Sequence, residues 1–123
     1  MTPVIETEEK EPLYNLKQLE EIALGNRDFI VSLAKIYLST IPLNSHEMVE
    51  ASRKAEWEKV SKLAHKLKST IDSMHISSIQ SDIRKLEFDA KNKANTAALP
   101  ILATKVDNII NEVAVLLKEE FGL

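Results

Sequence analysis

Trp57-Glu58-Lys59-Val60-Ser61-Lys62-Leu63-Ala64-His65-Lys66-Leu67-Lys68-Ser69-Thr70-Ile71-Asp72-Ser73-Met74 is the stretch that decides the fold. Trp57, Val60, Ala64, Leu67, Ile71 and Met74 recur at spacings of 3, 4, 3, 4 and 3, which draws one apolar stripe along a helix. The next segment repeats the pattern, with Ile76, Ile79, Ile83, Leu86 and Ala90. Upstream, Asn26 is positioned to cap a helix whose apolar positions include Ile30, Leu33, Tyr37, Thr40/Ile41, Met48, Ala51 and Ala55. Pro42 falls inside that run, but the apolar phase continues past it, so one kinked helix over about 27–53 is expected. Before it, Asn15 and Gln18 mark the start of a short helix that should run through Leu24 and stop at Gly25. After the polar loop 91–95, a last helix begins near Thr96–Ala98 with Pro100 in its first turn, and carries Leu102, Val106, Ile109, Val113 and Leu116.

No useful length of apolar–polar alternation is present, so the expected class is all-α. Four long amphipathic segments with short connections predict an antiparallel up-down four-helix bundle, with the short first helix across one end. Residues 1–12 are acidic with two prolines and read as a loose N-terminal tail; residues 13–123 form the bundle domain.

Composition narrows the function. The chain has 123 residues, enough for one domain with a real core. Hydrophobic residues make up 44% and charged residues 28%, ordinary values for a globular protein. The formal net charge of −3 argues against general nucleic-acid binding. The absence of cysteine removes disulfides, thiolate metal sites and thiol nucleophiles, and fits a reducing cytoplasm. No apolar stretch approaches the ~20 residues of a membrane span, and the N-terminus lacks the basic-then-apolar pattern of a signal peptide.

One residue stands out. If Ala64 faces the core, His65 is turned about 100° from it, on the flank of the helix and at least partly wet. Lys68 and Ser69 lie one turn on, and Ser61 and Lys62 one turn back. Small neighbours leave the imidazole clear, and Lys62, Lys66 and Lys68 make its surroundings positive. With the helix-to-helix turn near Met74-His75, residue 65 lies across from about residue 85. Glu87 then borders the seam within about a turn of His65. A carboxylate there can take a hydrogen bond from one ring nitrogen, fix the tautomer and leave the other nitrogen as nucleophile.

Ala64-His65-x-Leu67-Lys68-Ser69, followed by Ile76, Ile79, Ile83 and Leu86-Glu87, resembles the histidine phosphotransfer (HPt) domain of multistep phosphorelays. The family pattern is A-H-x-L-K-G, a second glycine, apolar positions at helical spacing and a closing L-E. The stretch from Leu13 to Trp57, with Pro42 and Trp57-Glu58, is similar as well, so the resemblance covers roughly residues 13–117. It implies that His65 accepts the phosphoryl group, that Lys68 neutralises its oxygens, and that Glu87 orients the imidazole. Ser61, Lys62, Ser69 and Asp72 would lie under a docked partner. Two positions depart from the pattern. Ser69 replaces the first glycine and is still small. His75 replaces the second, in a turn where a left-handed residue is expected, so the local turn should differ.

The implied function is that of a phosphocarrier without catalytic machinery of its own. A response-regulator receiver domain would supply an aspartyl phosphate and a Mg²⁺ ion, and a sensor or hybrid histidine kinase would feed the relay. The chain itself would hold no cofactor and no metal, act as a cytoplasmic monomer, and touch neither nucleic acid nor membrane. The alternative is a non-phosphorylated helical adaptor that binds receiver or kinase domains. A di-metal carboxylate bundle needs Glu-x-x-His pairs, and none is present; Asp72-Ser73-Met74-His75 is the nearest approach and His46 is isolated. A full histidine kinase is disfavoured, since there is no Gly-rich loop for ATP.

Overall fold

The computed structural model describes residues 12–123. The acidic stretch 1–12 therefore lies, but for Pro12, outside the described residues. These contain five α-helices and no strand: α1 (Lys17–Ile22), α2 (Arg27–Arg53), α3 (Trp57–Ser73), α4 (Gln80–Asn92) and α5 (Leu99–Phe121). Single 3₁₀ turns, Ser77–Ile79 and Thr96–Ala98, lead into α4 and α5. Among the described residues no helix is long and apolar enough to cross a membrane.

Local chemistry sets the starts. Asn26 caps α2 by accepting from the Phe29 N–H, whereas the N-cap of α1 is Leu16 rather than Asn15, whose Oδ1 accepts from the Lys17 N–H at 2.8 Å just ahead of the helix. Pro42 lies inside α2 without splitting it, as the apolar phase predicts. The ends have a common device. Leu24, Ala55, His75, Lys93 and Gly122 all have positive φ, from 51° to 65°, one just past each helix in chain order. At the end of α3, the Ile76 N–H donates to the Ile71 carbonyl at 3.0 Å and the His75 N–H to Asp72 at 3.1 Å. That is a Schellman closure, with Ile71 and Ile76 both fully buried beside it. His75 thus takes the left-handed conformation (φ 51°) that glycine holds most cheaply. The turn expected to differ on account of His75 keeps its closing hydrogen bonds.

Two of these ends give a testable consequence. A side chain in the left-handed region costs on the order of 1 kcal/mol. Ala55→Gly and His75→Gly are each expected to gain about 0.5–1 kcal/mol, less than the full strain because glycine loosens the unfolded chain. Thermal melts should rise by a few degrees for each and add in the double variant. A fall in either single variant would contradict the assigned turn.

The core forms where the stripes meet. α2 packs on α3 and α5, and α4 packs on the same two helices. Of the apolar positions read from the sequence, Val60, Ala64, Leu67, Ile71, Ile76, Ile79, Ile83 and Leu86 are fully buried, each stabilising by roughly 1.5–3 kcal/mol if large. Leu16 and Leu19 of the first segment pack near Ile30, Met74 and Leu117, and the Asn15 N–H donates to the Met74 carbonyl at 2.8 Å. Tyr37 donates its hydroxyl to the Ile110 carbonyl at 3.0 Å, and Ser45 hydrogen-bonds Asp107, tying α2 to α5.

Four expectations need correction. α1 ends at Ile22, not Leu24, because Leu24 is itself left-handed. In α2, Leu33 is only half-buried and Thr40 exposed, and Ala55 lies beyond the helix, while Ala34, Ser45, Val49 and Ser52 join the core. α4 runs on to Asn92, so the loop is 93–95 rather than 91–95. The stripe of α5 is rotated by one residue. Leu99, Ala103, Val106, Ile110, Val113 and Leu117 are buried, whereas Leu102 and Ile109 flank the core and Leu116 is exposed. Val106 and Val113 belong to both stripes, and the sequence picks the wrong neighbours of each because isoleucine and leucine occur on both sides.

Candidate functional site

The α3–α4 seam carries two polar stripes at helical spacing. Ser61, His65, Lys68 and Asp72 run along α3; Gln80, Arg84, Glu87 and Lys91 run along α4. They meet in opposite chain order. Asp72 takes two hydrogen bonds from Arg84, at 3.0 and 2.5 Å, and one from the Gln80 amide at 3.4 Å. His65 and Lys68 both reach Glu87. The Ser61 hydroxyl donates to the backbone carbonyl of Glu87 at 3.2 Å.

Glu87 is the hub. Its Oε2 lies 2.7 Å from His65 Nδ1 and its Oε1 2.8 Å from Lys68 Nζ. The Lys68 ammonium, and then the His65 ring, hold the Glu87 carboxyl below its usual range against the opposing effect of burial. An ionised carboxylate only accepts hydrogen bonds, so Nδ1 carries the ring proton. The neutral ring then keeps its lone pair on Nε2. The His65 side chain is 68% exposed and that of Glu87 24%, so the orienting contact is half-sheltered while the ring faces solvent.

Each residue singled out in the sequence has a definite place. His65, Lys68 and Glu87 come together. Ser61 is half-buried and turned to α4. Lys62 is exposed, with its Nζ 3.8 Å from Glu58. Ser69 is exposed and its hydroxyl donates to the Lys66 carbonyl at 3.5 Å. Asp72 is ion-paired with Arg84, which holds its carboxyl below the usual range, and its side chain remains 37% exposed. Arg84 escaped the sequence reading. Its signal was the 80-84-87-91 spacing, which places it on the face that carries Glu87. His46 is exposed on α2, and among the described residues no group of three or more His, Asp or Glu could hold a metal ion.

The depressed carboxyls make acid stability a readout of the site. A group whose folded pKa lies below its unfolded value stabilises the fold above the unfolded value and stops doing so as pH falls through the folded one. For Glu87 that loss begins below its ordinary 4.5. Urea unfolding of the wild type between pH 7 and 3 should therefore lose stability more steeply in this window than Glu87→Gln. Parallel curves would show that Glu87 is not ion-paired in solution.

No protein-family model, curated protein or solved structure matches the chain.

Proposed function

We propose that the protein is a histidine phosphotransfer domain of a two-component phosphorelay, folded as an antiparallel up-down four-helix bundle with α1 across one end. One observation carries the reading: an exposed imidazole whose Nδ1 is held by an ionised carboxylate, leaving Nε2 as a nucleophile open to solvent. The resemblance of Ala64–Ser69 and Leu86-Glu87 to the family pattern points the same way.

The chemistry follows from that arrangement. Nε2 attacks the phosphorus of an aspartyl phosphate in a partner receiver domain, which also brings its Mg²⁺ ion. The N–P bond forms as the P–O bond breaks, and the aspartate carboxylate leaves with the bonding pair. The proton stays on Nδ1, so the phosphorylated ring is cationic and faces the Glu87 carboxylate. That charge pairing stabilises the intermediate. A second receiver reverses the step. Rate comes from positioning and charge, because phosphoryl transfer asks little covalent chemistry of the protein. Lys68 keeps Glu87 ionised and adds positive charge to the face.

The receiver would cover Ser61, Lys62, Ser69 and Asp72, in a transient interface below about 1,200 Å². A sensor or hybrid histidine kinase would stand upstream, and the domain would work as a cytoplasmic monomer. The test is incubation with a panel of phosphorylated receivers. Transfer of acid-labile, base-stable phosphate to the wild type is expected. Binding of receivers without any transfer would favour the adaptor reading instead.

A further inference from the structure

His65 lines a cleft on one side of its ring. This cleft of about 730 Å³ runs between α3 and α4, and its lining includes His65, Lys62, Lys66, Lys91 and Lys93. Glu58 and Glu87 are its acidic residues. Lys68, Ser69 and Asp72 do not line it. The cleft therefore lies towards the N-terminal side of His65 along α3. A helical side chain leans over the turn N-terminal to its own Cα, so the His65 ring leans towards this space.

Charge favours the same side. Of the cleft's two carboxylates, Glu87 is taken by His65 and Lys68, and Glu58 lies 3.8 Å from Lys62. Lys66, Lys91 and Lys93 form no ion pair among the described residues. Lys93 is presented by the left-handed turn that ends α4 (φ 53°), next to the last turn that carries Lys91. Lys68, by contrast, is engaged at 2.8 Å by the carboxylate that orients the ring.

We propose that this cleft is the cradle for the phosphoryl group on Nε2 of His65, with Lys91 and Lys93 as its cations, Lys62 at its rim, and Lys68 left paired with Glu87. The proposal rests on the phosphotransfer reading and reassigns the cation that the family resemblance gives to Lys68.

The test needs no partner protein. Phosphoramidate can label an accessible imidazole: Nε2 attacks phosphorus, the P–N bond of the reagent breaks, and ammonia leaves with the bonding pair. ³¹P NMR then follows the second ionisation of the attached phosphoryl group. Nearby cations lower that pKa, so Lys91→Gln/Lys93→Gln is expected to raise the titration midpoint by about 0.5 pH unit or more, and Lys68→Gln to move it less. A shift in Lys68→Gln with none in the double variant would overturn the cradle while leaving phosphotransfer intact. Titration of inorganic phosphate into ¹⁵N-labelled protein gives a second reading that does not depend on labelling. Saturable shifts confined to the amides of 61–66 and 90–94 are expected. Shifts centred on 68–72, or none, would overturn the proposal. Labelling and shifts as expected, with no transfer from any receiver, would instead sink the relay reading and keep the anion site.

Discussion

Replacing His65 with glutamine is expected to abolish transfer of acid-labile phosphate to the protein and to leave its melting temperature within about 2 °C of wild type. The two halves of that result have separate causes. Glutamine has no ring nitrogen with a free lone pair, so no N–P bond can form. His65 lies outside the core, and its one hydrogen bond, to Glu87, is half-exposed; glutamine can donate to the same carboxylate. Lys68 also remains to hold Glu87. Loss of transfer together with loss of fold would make the histidine a structural residue. Retained transfer would place the acceptor elsewhere, with His46 and His75 the remaining imidazoles.

The largest stability effect is expected from Leu117→Ala, with Leu116→Ala as its contrast. Leu117 is 1% exposed and Leu116 38%. Truncating a buried leucine removes its transfer energy and leaves a cavity, at a cost of about 2–5 kcal/mol. That is a large part of the ~5–15 kcal/mol that holds a domain together. Leu117→Ala should melt roughly 8–20 °C lower, and Leu116→Ala only a few degrees lower. The opposite order would restore the register in which Leu116 faces the core.

That pair also marks how far the sequence could be read. α3 and the segment from Ile76 to Ala90 were legible because each has one apolar stripe with lysine, serine or acid on its other faces. α2 was legible across Pro42 because the phase on either side agrees. α5 was not, because Ile101, Leu102, Ile109, Val115 and Leu116 give it apolar residues around much of its surface. Only packing against α2 and α4 chooses among the possible stripes. Helix ends were hard to place for a related reason. The chain has two glycines, so four of the five left-handed ends fall on Leu24, Ala55, His75 and Lys93, residues that carry no local signal for that conformation.

In the site, His65 on the helix flank and Glu87 within about a turn of it were legible from helical phase and an equal count to either side of the turn. The division of Glu87 between His65 and Lys68 was not, since it depends on rotamers of three long side chains. Nor was the Asp72–Arg84 pair, since Arg84 carries no signal of its own beyond its spacing from Glu87. The cleft escaped because it joins lysines that are about thirty positions apart in the chain, and each alone reads as an ordinary solvated charge.

In the proposed relay Glu87 fixes the His65 tautomer and so the atom that carries phosphate. Long-range ¹H–¹⁵N NMR of the imidazole, before and after exposure to phosphorylated receivers, tests it most directly. The expected result is a proton on Nδ1 in the free protein, then phosphorus coupling to Nε2 with Nδ1 still protonated. A free ring with its proton on Nε2, or phosphate on Nδ1 or on any residue other than His65, would contradict it.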